Sequence, residues 1–276
     1  TDCTAVSFTG GLGGGGAKEV LFDLWNGRDS GSADHGRLLI YYEEAATNPI
    51  GVHLASGSNV WDCSFGQQTT GNGTLTTVTT ESLEDTWNHM AFVFSTSSVR
   101  KDLQIQWYYN GVLNYTTSSA HAATFNEVTG SLIGFIGALQ AAPHGTTATA
   151  PIGATWSKTS MEGYGKLSGS IDEFRYWKTA RTGKDIAHNW WTQVRGGTNQ
   201  EVANAELGVY YKFNEGITAR NSIDSTVLDY SGRVSNGQWV GYPGKNARNI
   251  GSAINSSTNV VTGTVEFKDP IIYSEH

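Results

Sequence analysis

The chain has 276 residues, a formal net charge of −7 and a sequence pI near 5.5, and it lacks the clustered Lys and Arg that a nucleic-acid partner would require. No apolar run reaches the roughly 18 residues of a membrane span, so we expect no membrane insertion. The 34 glycines and a charged fraction of 16% favour short strands joined by tight turns over a helical protein.

The first residues, TDCTAVSFTGG, contain no initiator Met, no basic segment and no apolar leader. We therefore expect a mature product or an excised segment of a larger polypeptide.

Cys3 and Cys63 are the two cysteines of the chain. They could pair or remain as two buried thiols, and both alternatives stay open.

Short strand-like runs bounded by turn signals recur along the first half of the chain. The runs are residues 20–25, 37–43, 51–55, 60–65, 74–80, 87–95, 103–109 and 132–139. Asn110-Gly111 stands between two alternating runs, which is the strongest short-range hairpin signal. Residues 27–36 and 140–165 are predicted to be loops, and a loop as long as the second is usually functional or mobile.

Residues 166–195 predict a strand that leads directly into a helix. Strict alternation would place Ile171 on the opposite face from Phe174 and Tyr176. A β-bulge at Asp172–Glu173 would return all three side chains to one face, so we predict a bulge there, with all three facing the core.

A helix is then predicted near residues 183–195, with Thr182 as its cap and Asp185 three positions later. Its apolar stripe includes Trp190 and Trp191, which should cover an open end or face of the sandwich. Five tryptophans are predicted to pack in the core, namely Trp87, Trp107, Trp177, Trp190 and Trp191.

The C-terminal part changes character after residue 216. Residues 207–215 predict a strand that returns to the sandwich, and the sequence is rich in turn signals beyond it. Residues 265–273 predict an extended arm, because Pro270 excludes a central-strand position. We therefore predict a sandwich domain over residues 1–216 and an extension over residues 217–276 that packs on it or on a partner. The fold class is all-β, a two-sheet antiparallel jelly-roll sandwich with one short helix.

The order of motifs resembles the concanavalin A-like lectin and glucanase superfamily, in particular jelly rolls of the laminin-G and pentraxin type. The resemblance covers residues 20–216. The residues that carry it are Trp87, His89, Ala91, Asn110, Gly111, Gly169, Ile171, Asp172, Glu173, Arg175, Trp177, Leu207, Tyr210, Tyr211 and Phe213. It implies two curved antiparallel sheets and a ligand site on the concave sheet or the edge loops. Members bind sugars, proteins or lipids, often through calcium, so the fold does not fix the function.

A second resemblance lies in the segments FNEG, LDYSGR, GSAI and EFKDPIIY. They are similar to parts of large structural proteins of tailed bacteriophages that carry lectin-like domains. This resemblance implies a location on a virion surface or another extracellular surface, and neighbouring structural subunits as partners.

The sequence contains few motifs that would support a catalytic function. Glucanases of this fold carry their acids at alternate strand positions, so that both face one cleft. Asp172 and Glu173 are adjacent instead, and we interpret Asp172 as a structural acceptor for turn amides. Neither a serine-hydrolase elbow nor a zinc-ligand spacing occurs, and His89 is interpreted as a packing residue. We therefore expect no enzyme.

Calcium requires six to eight oxygen ligands, usually including several carboxylates. The pentraxin-type double site would place acids in the loop before Gly169, where this chain offers Glu162 alone. A single ion held by Asp29 and Asp34, or near Asp224 and Asp229, remains an alternative to solvated turn acids.

Glycan binding would use aromatic faces for sugar C–H groups, and charged side chains for hydroxyls. The candidate residues are Arg28, Asp29, Asp34 and His35 in one loop, and Trp156 and Tyr164 in the other. The leading hypothesis is a non-catalytic lectin-like or adhesion module that recognises a glycan or surface polysaccharide. The alternatives are a structural or decoration domain, as a homo-oligomer or on a neighbouring subunit, and a glycoside hydrolase with unconventional acids.

Overall fold

The computed structural model describes residues 2–8, 18–28, 32–43, 46–67, 76–96, 102–119, 125, 128, 130–139, 143–144, 155–156, 167, 169–194, 206–215 and 226–239. For residues 2–8, 143–144 and 155–156 it describes the backbone alone. Strands dominate these residues. In chain order they are β1 (Asp2–Phe8), β2 (Lys18–Trp25), β3 (Gly36–Glu43), β4 (Ile50–Ser56), β5 (Asn59–Phe65), β6 (Asn88–Thr96), β7 (Leu103–Tyr109), β8 (Val112–Ser119), β9 (Ile133–Ile136), β10 (Pro143–His144), β11 (Thr155–Trp156), β12 (Gly169–Trp177), β13 (Leu207–Tyr211), β14 (Thr226–Val227) and β15 (Gly237–Gln238). The helices are α1 (Thr80–Leu83) and α2 (Gly183–Asn189).

Two antiparallel sheets form the sandwich. The six-stranded sheet has the order β13-β12-β1-β6-β7-β8, and the five-stranded sheet has the order β5-β4-β3-β2-β9. Two small hairpins, β10-β11 and β14-β15, complete the described strands. The predicted all-β sandwich is confirmed.

The main core lies between the two sheets and is rich in aromatic rings. Phe65 of the five-stranded sheet lies 5.6 Å from Trp107 and 6.0 Å from Phe92 of the six-stranded sheet, measured between ring centroids. Phe22 and Phe174 make a similar contact at 5.2 Å. Rings at these separations bury large apolar areas and add a favourable edge or offset contact. The two sheets are therefore held together mainly by aromatic packing.

The predicted hairpin at Asn110-Gly111 is confirmed, and it joins β7 to β8. Both residues have left-handed backbone angles, with φ of 48° for Asn110 and 79° for Gly111. This is the combination that a two-residue hairpin turn requires. The Asn110 side chain also accepts a hydrogen bond of 2.8 Å from the backbone N–H of His89, which ties the turn to β6.

Strand β12 confirms one prediction and corrects another. Phe174 is buried in the main core, and Ile171 and Tyr176 pack against it, so all three face the core as predicted. The predicted bulge is wrong, because the pairing of β12 with β1 keeps one register from Phe174 to Ile171. Instead, Glu173 has a φ of 56°, which turns the chain without inserting a residue. Asp172 accepts a hydrogen bond of 3.0 Å from the Glu173 N–H, in agreement with the acceptor role.

The strand predicted over residues 74–80 is wrong for the described residues 76–80, because the chain enters helix α1 at Thr80. Thr79 and Ser82 form a reciprocal capping box in which each side chain accepts from the other residue's backbone N–H. Leu83 then inserts fully buried into the core. The β-branched threonines suggested a strand, whereas the capping box and one buried leucine stabilise a single helical turn.

Helix α2 is shorter than predicted and ends at Asn189. Its predicted start is confirmed, since Thr182 and Asp185 form a capping box. The guanidinium of Arg175 donates to the carbonyls of Asn189 and Thr192, which holds the chain in turns after the helix. Trp191 is consequently 37% exposed, so its predicted core position is wrong.

Trp190 is half-buried between β6 and the β7–β8 turn. Its ring lies 5.7 Å from that of His89, measured between centroids, and His89 is buried. The predicted packing role of His89 is confirmed. Trp87 is half-buried as well, whereas Trp107 and Trp177 are buried as predicted.

Strand β1 was not predicted, yet it lies in the middle of the six-stranded sheet between β12 and β6.

On the opposite sheet, Cys63 is a half-buried free thiol in β5. Burial raises the pKa of this thiol to about 12.

The predicted arm over residues 265–273 lies outside the described residues. None of the described helices is long and apolar enough to cross a membrane.

Part of the C-terminal region packs on the sandwich. Asp229 forms a β-bridge with Tyr211 of β13, and Tyr230 makes an edge contact with Tyr210 at 6.3 Å between ring centroids. The Asp229 carboxylate accepts backbone hydrogen bonds from Tyr210, Ser231 and Ser235. Residues 226–239 are thereby attached to the edge of the six-stranded sheet.

Candidate functional site

The loop between β2 and β3 is organised by the side chain of Asn26. Its Oδ1 accepts from the backbone N–H groups of Arg28 and Gly36, at 3.2 and 3.1 Å. Its Nδ2 donates to the carbonyl of Asp34 at 2.6 Å. One amide therefore joins both ends of the loop, and the predicted loop over residues 27–36 is confirmed for the residues that are described.

The base of this loop is buried and aromatic. The backbone carbonyl of Arg28 accepts from the indole Nε1 of Trp25 at 2.9 Å, and it lies 2.8 Å from Nδ1 of His35. A carbonyl cannot donate, so this contact requires the His35 tautomer that carries a proton on Nδ1. Trp25 and His35 are both buried. His35 thus lies beneath the loop, where it positions the backbone of Arg28.

Two of the predicted site residues meet on the outer surface of the loop. Arg28 Nε lies 3.1 Å from Asp34 Oδ2, and the two side chains are 61% and 41% exposed. An exposed ion pair contributes little to stability, about 0–1 kcal/mol. The pair can therefore rearrange around a ligand at little cost while its backbone stays fixed by Asn26.

Apolar surface adjoins the loop. Leu132 and Ile133 are 48% and 47% exposed, and Ile133 is the cross-strand partner of Trp25. The strand predicted over residues 132–139 includes both residues, but the sequence did not predict that their side chains are exposed. Alternation predicts which side chains share a face, but it does not tell which face is covered.

The other predicted site residues are described partly or not at all. Asp29 and Tyr164 lie outside the described residues, and Trp156 is described by its backbone in β11. The structure therefore brings Arg28, Asp34 and His35 together and leaves the aromatic half of the predicted site undefined.

The described acids do not fit a calcium site. Asp34 is paired with a guanidinium, and the Asp229 carboxylate is surrounded by backbone donors that would oppose a cation. Among the described side chains, no three His, Cys, Asp or Glu residues form a group that could hold a metal ion. Asp29 and Asp224 lie outside the described residues.

The adjacent acids of β12 are enclosed. Glu173 is fully buried, and its carboxylate accepts from the Tyr210 hydroxyl, from Arg175 at 3.4 Å and from Gln193 at 3.3 Å. Asp172 is 5% exposed. Neither carboxylate is accessible to a polymeric substrate, so the pair acts as scaffold.

A cavity of about 370 Å³ opens at the same end of the sandwich as the loop. Gly36 and Arg37, at the end of the loop, contribute to its wall. Most of the lining is apolar, and the exposed residues Leu132 and Lys178 mark its mouth. The volume lies in the range of about 300–1,000 Å³ that is typical of ligand pockets.

Comparison with known proteins adds little to this geometry. No protein-family model and no curated protein matches the chain. One solved structure to which it is similar is described as a "putative carbohydrate binding protein" from Bacteroides ovatus, at 15% identity and a TM-score of 0.37. The match covers 85% of this chain and 55% of that one, so the chain spans about half the length of that protein. A likeness at this TM-score carries no argument about fold or function.

Proposed function

We propose that this chain is a non-catalytic, lectin-like module that binds a glycan on the loop between β2 and β3. The observation that carries the proposal is the exposed Arg28–Asp34 pair, which is fixed on a buried base in the loop that follows Trp25, and Trp25 has the exposed Ile133 as its cross-strand partner. A charged pair beside an apolar patch is the arrangement that suits a ligand with hydroxyl groups on one side and C–H groups on the other.

The chemistry of the two charged groups complements that of a sugar. The Arg28 guanidinium can only donate hydrogen bonds, and the ionised Asp34 carboxylate can only accept them. A vicinal pair of sugar hydroxyls can do both, so one hydroxyl can accept from Arg28 while its neighbour donates to Asp34. Ile133, the cross-strand partner of Trp25, would cover the C–H face of the ring. Trp25, Asn26 and His35 position this surface from below.

The absence of catalysis is part of the proposal. Hydrolysis of a glycosidic bond needs two carboxyl groups on opposite sides of an accessible bond, about 5–10 Å apart. Asp172 and Glu173 are both buried and hydrogen-bonded, and Asp34 is paired with Arg28. These three acids therefore favour binding over hydrolysis.

A second candidate function is that of a structural or decoration domain in a larger assembly. It is favoured by two exposed apolar side chains on the C-terminal segment, Leu228 at 42% and Val234 at 77%. Val234 also has a φ of 60°, which is a strained angle for a β-branched residue. In this role residues 217–276 would contact a neighbouring subunit or a second copy. A virion or other extracellular surface suits both candidate functions.

Glycan-array screening followed by calorimetry tests the first proposal. We expect at least one surface glycan to bind, and the Arg28→Ala and Asp34→Asn variants to weaken its binding about tenfold each, as loss of a charged hydrogen bond implies. Lys184→Ala, on the exposed side of α2, is the matched control and should bind normally. Lack of binding to any glycan at millimolar concentration, together with a homo-oligomer that buries Leu228 and Val234, would favour the structural role.

A further inference from the structure

An amine, a carboxamide and a carboxylate meet on the outer face of the six-stranded sheet. The register of β12 and β13 places Phe174 opposite Tyr211, so Glu173 and Lys212, one step further on, lie across from each other. The side chain of Gln193 contacts both. Its Nε2 donates to Glu173 Oε1 at 3.3 Å, and its Oε1 accepts from Lys212 Nζ at 3.3 Å.

The two partners of Gln193 determine the orientation of its carboxamide. An ammonium can only donate hydrogen bonds and an ionised carboxylate can only accept them, so Oε1 belongs on the side of Lys212 and Nε2 on the side of Glu173. The amine is thus next to the carbonyl end of the carboxamide, and the carboxylate is next to its nitrogen. Attack by an amine on a carboxamide requires this order, because the nitrogen has to leave as ammonia.

Buried contacts hold these groups in place. Glu173 is fully buried, and its carboxylate also accepts from the Tyr210 hydroxyl and from Arg175 at 3.4 Å. Arg175 in turn donates to two backbone carbonyls in the turns that precede Gln193. Reacting groups that are fixed in contact behave as if they were at very high concentration, up to about 10⁵ M or more.

The surroundings of Lys212 favour a reactive amine. The side chain is half-buried, and its Nζ lies 5.3 and 4.7 Å from the ring centroids of Tyr210 and Tyr230. Burial lowers the pKa of the Lys212 ammonium, the Glu173 charge opposes this effect, and the Arg175 charge lowers the pKa further. A larger fraction of Lys212 is therefore the neutral amine, which is the form that attacks a carbonyl carbon.

We propose that Lys212 and Gln193 form an intramolecular isopeptide bond, in a reaction that this chain catalyses on itself. The Lys212 Nζ attacks the Cδ of Gln193, the Nζ–Cδ bond forms and the Cδ–Nε2 bond breaks. One proton passes from Nζ to Nε2, which leaves as ammonia, and nothing is oxidised or reduced. Glu173 is the catalytic residue, because its Oε1 contacts Nε2 and can deliver this proton.

The bond would join the segment after α2 to the end of β13. It would act as a covalent cross-link at this edge of the six-stranded sheet, and a cross-link of this kind stabilises a fold by restricting the unfolded chain. The proposal is independent of glycan binding on the loop between β2 and β3.

Peptide mapping of the full chain by mass spectrometry tests this proposal. Without the bond, trypsin releases residues 185–195 and 196–212 as separate peptides. With the bond, trypsin cannot cleave after Lys212, and residues 185–195 stay attached to residues 196–220, with the mass of the pair lowered by one ammonia. We expect this branched peptide to predominate after incubation at mildly alkaline pH. The branched peptide is a sharper readout than the intact mass, because Asn-Gly sequences can also lose ammonia.

Matched variants test the assigned groups. Lys212→Arg should abolish the branched peptide, because a guanidinium stays protonated and does not attack, and Gln193→Ala should abolish it as well. Lys184→Arg, on the exposed side of α2, should retain it. Glu173→Gln should slow its formation about a hundredfold or more, as loss of a general acid–base group implies, with circular dichroism to verify the fold.

A measurement on the unaltered sequence tests the need for the folded site even if Glu173→Gln does not fold. Chain isolated in urea from inclusion bodies should lack the bond and should acquire it after refolding. The proposal would be overturned if the refolded protein contained no branched peptide, or if the bond formed equally fast in urea or in folded Glu173→Gln. A link from Lys212 to a residue other than Gln193 would also overturn it.

Discussion

The hydroxyl of Tyr210 donates a hydrogen bond to the carboxylate of Glu173 on the buried outer face of the six-stranded sheet. Glu173 has a left-handed backbone, and the same carboxylate also contacts Arg175 and Gln193. A strained backbone of this kind persists where its surroundings fix it. The polar network thus does two things: it turns β12 so that Ile171 and Phe174 both reach the core, and it joins β12 to β13.

Tyr210→Phe should destabilise the fold by about 1–3 kcal/mol, because the buried Glu173 carboxylate loses one of its donors. Urea denaturation followed by circular dichroism measures the loss. Tyr230→Phe is the matched control, because this half-buried hydroxyl has no described hydrogen bond. Equal losses for the two variants would contradict the role assigned to the Tyr210–Glu173 bond.

The chain contains a buried and an exposed Arg–Asp pair, which allows a comparison within one protein. Arg37 donates two hydrogen bonds to Asp23, at 2.8 and 2.7 Å, and both side chains are fully buried. Asp23→Ala should cost about 3–5 kcal/mol, because it leaves the Arg37 charge buried without this carboxylate. Arg28→Ala should cost at most about 1 kcal/mol, because that pair is exposed.

Chemical denaturation of both variants decides this comparison. If Asp23→Ala proved as mild as Arg28→Ala, the buried pair would not stabilise the five-stranded sheet as described. The same measurement shows whether Arg28→Ala is folded, which the glycan-binding test requires.

Gly111 is predicted to be essential for the contact between the β7–β8 hairpin and the end of α2. A Cβ atom built on Gly111 would lie 2.1 Å from Cδ1 of Trp190, and its φ is 79°. Gly111→Ala should therefore displace the Trp190 ring and destabilise the protein. Gly130→Ala separates the two causes, because Gly130 has a φ of 96° but no atom within 4 Å of the added Cβ.

The difference in melting temperature between the two glycine variants measures the steric conflict with Trp190 alone, because both variants share the strained backbone angle. We expect Gly111→Ala to lower the melting temperature more than Gly130→Ala does, and to change the tryptophan fluorescence. Equal shifts would mean that backbone strain alone accounts for the loss, and that Trp190 moves aside freely.

Stability should fall at alkaline pH. Burial, reinforced by the charges of Glu43 and Asp62, raises the pKa of Tyr41 from 10.0 to about 12. Burial, reinforced by the charge of Asp62, raises the pKa of the Cys63 thiol from 9.0 to about 12. Because each folded-state pKa lies above the unfolded value, both groups contribute stability that is complete below pH 9 and is lost as the pH rises towards 12.

Denaturation midpoints measured between pH 8 and pH 12 test this prediction, since this pH range spans the ordinary and the raised pKa values of Tyr41 and Cys63. Alkylation of Cys63 offers a second readout: at pH 9 it should be slow in the folded protein and fast in urea, because only the thiolate reacts. Stability that did not change with pH, together with fast alkylation of Cys63 in the folded protein, would contradict the raised pKa values.

Predictions from the sequence succeeded where local rules determine the structure. The turn at Asn110-Gly111 needs only two residues with left-handed angles, and the Thr182 cap needs only one hydroxyl next to a free backbone N–H. The common face of Ile171, Phe174 and Tyr176 was also predicted, although the backbone of Glu173 achieves it rather than an inserted residue. Each of these features depends on residues close together in the chain.

The features that were missed depend on distant residues. Strand β1 gains its central place by pairing with β6 and β12, which lie far along the chain and which no local pattern indicates. The exposure of Leu132 and Trp191 depends on what covers each face of the sheet. For the candidate site, the loop residues Arg28 and Asp34 were predicted, but the exposure of Leu132 and Ile133 was not.

The most direct test of the proposed function is an NMR titration of the isotope-labelled chain with the best glycan from the array. We expect the resonance shifts to concentrate on the backbone amides of Arg28 and Asp34 and on the methyl groups of Ile133, and we expect Arg28→Ala to reduce all of them together. Shifts confined to residues remote from this loop, or shifts that persist unchanged in Arg28→Ala, would contradict it.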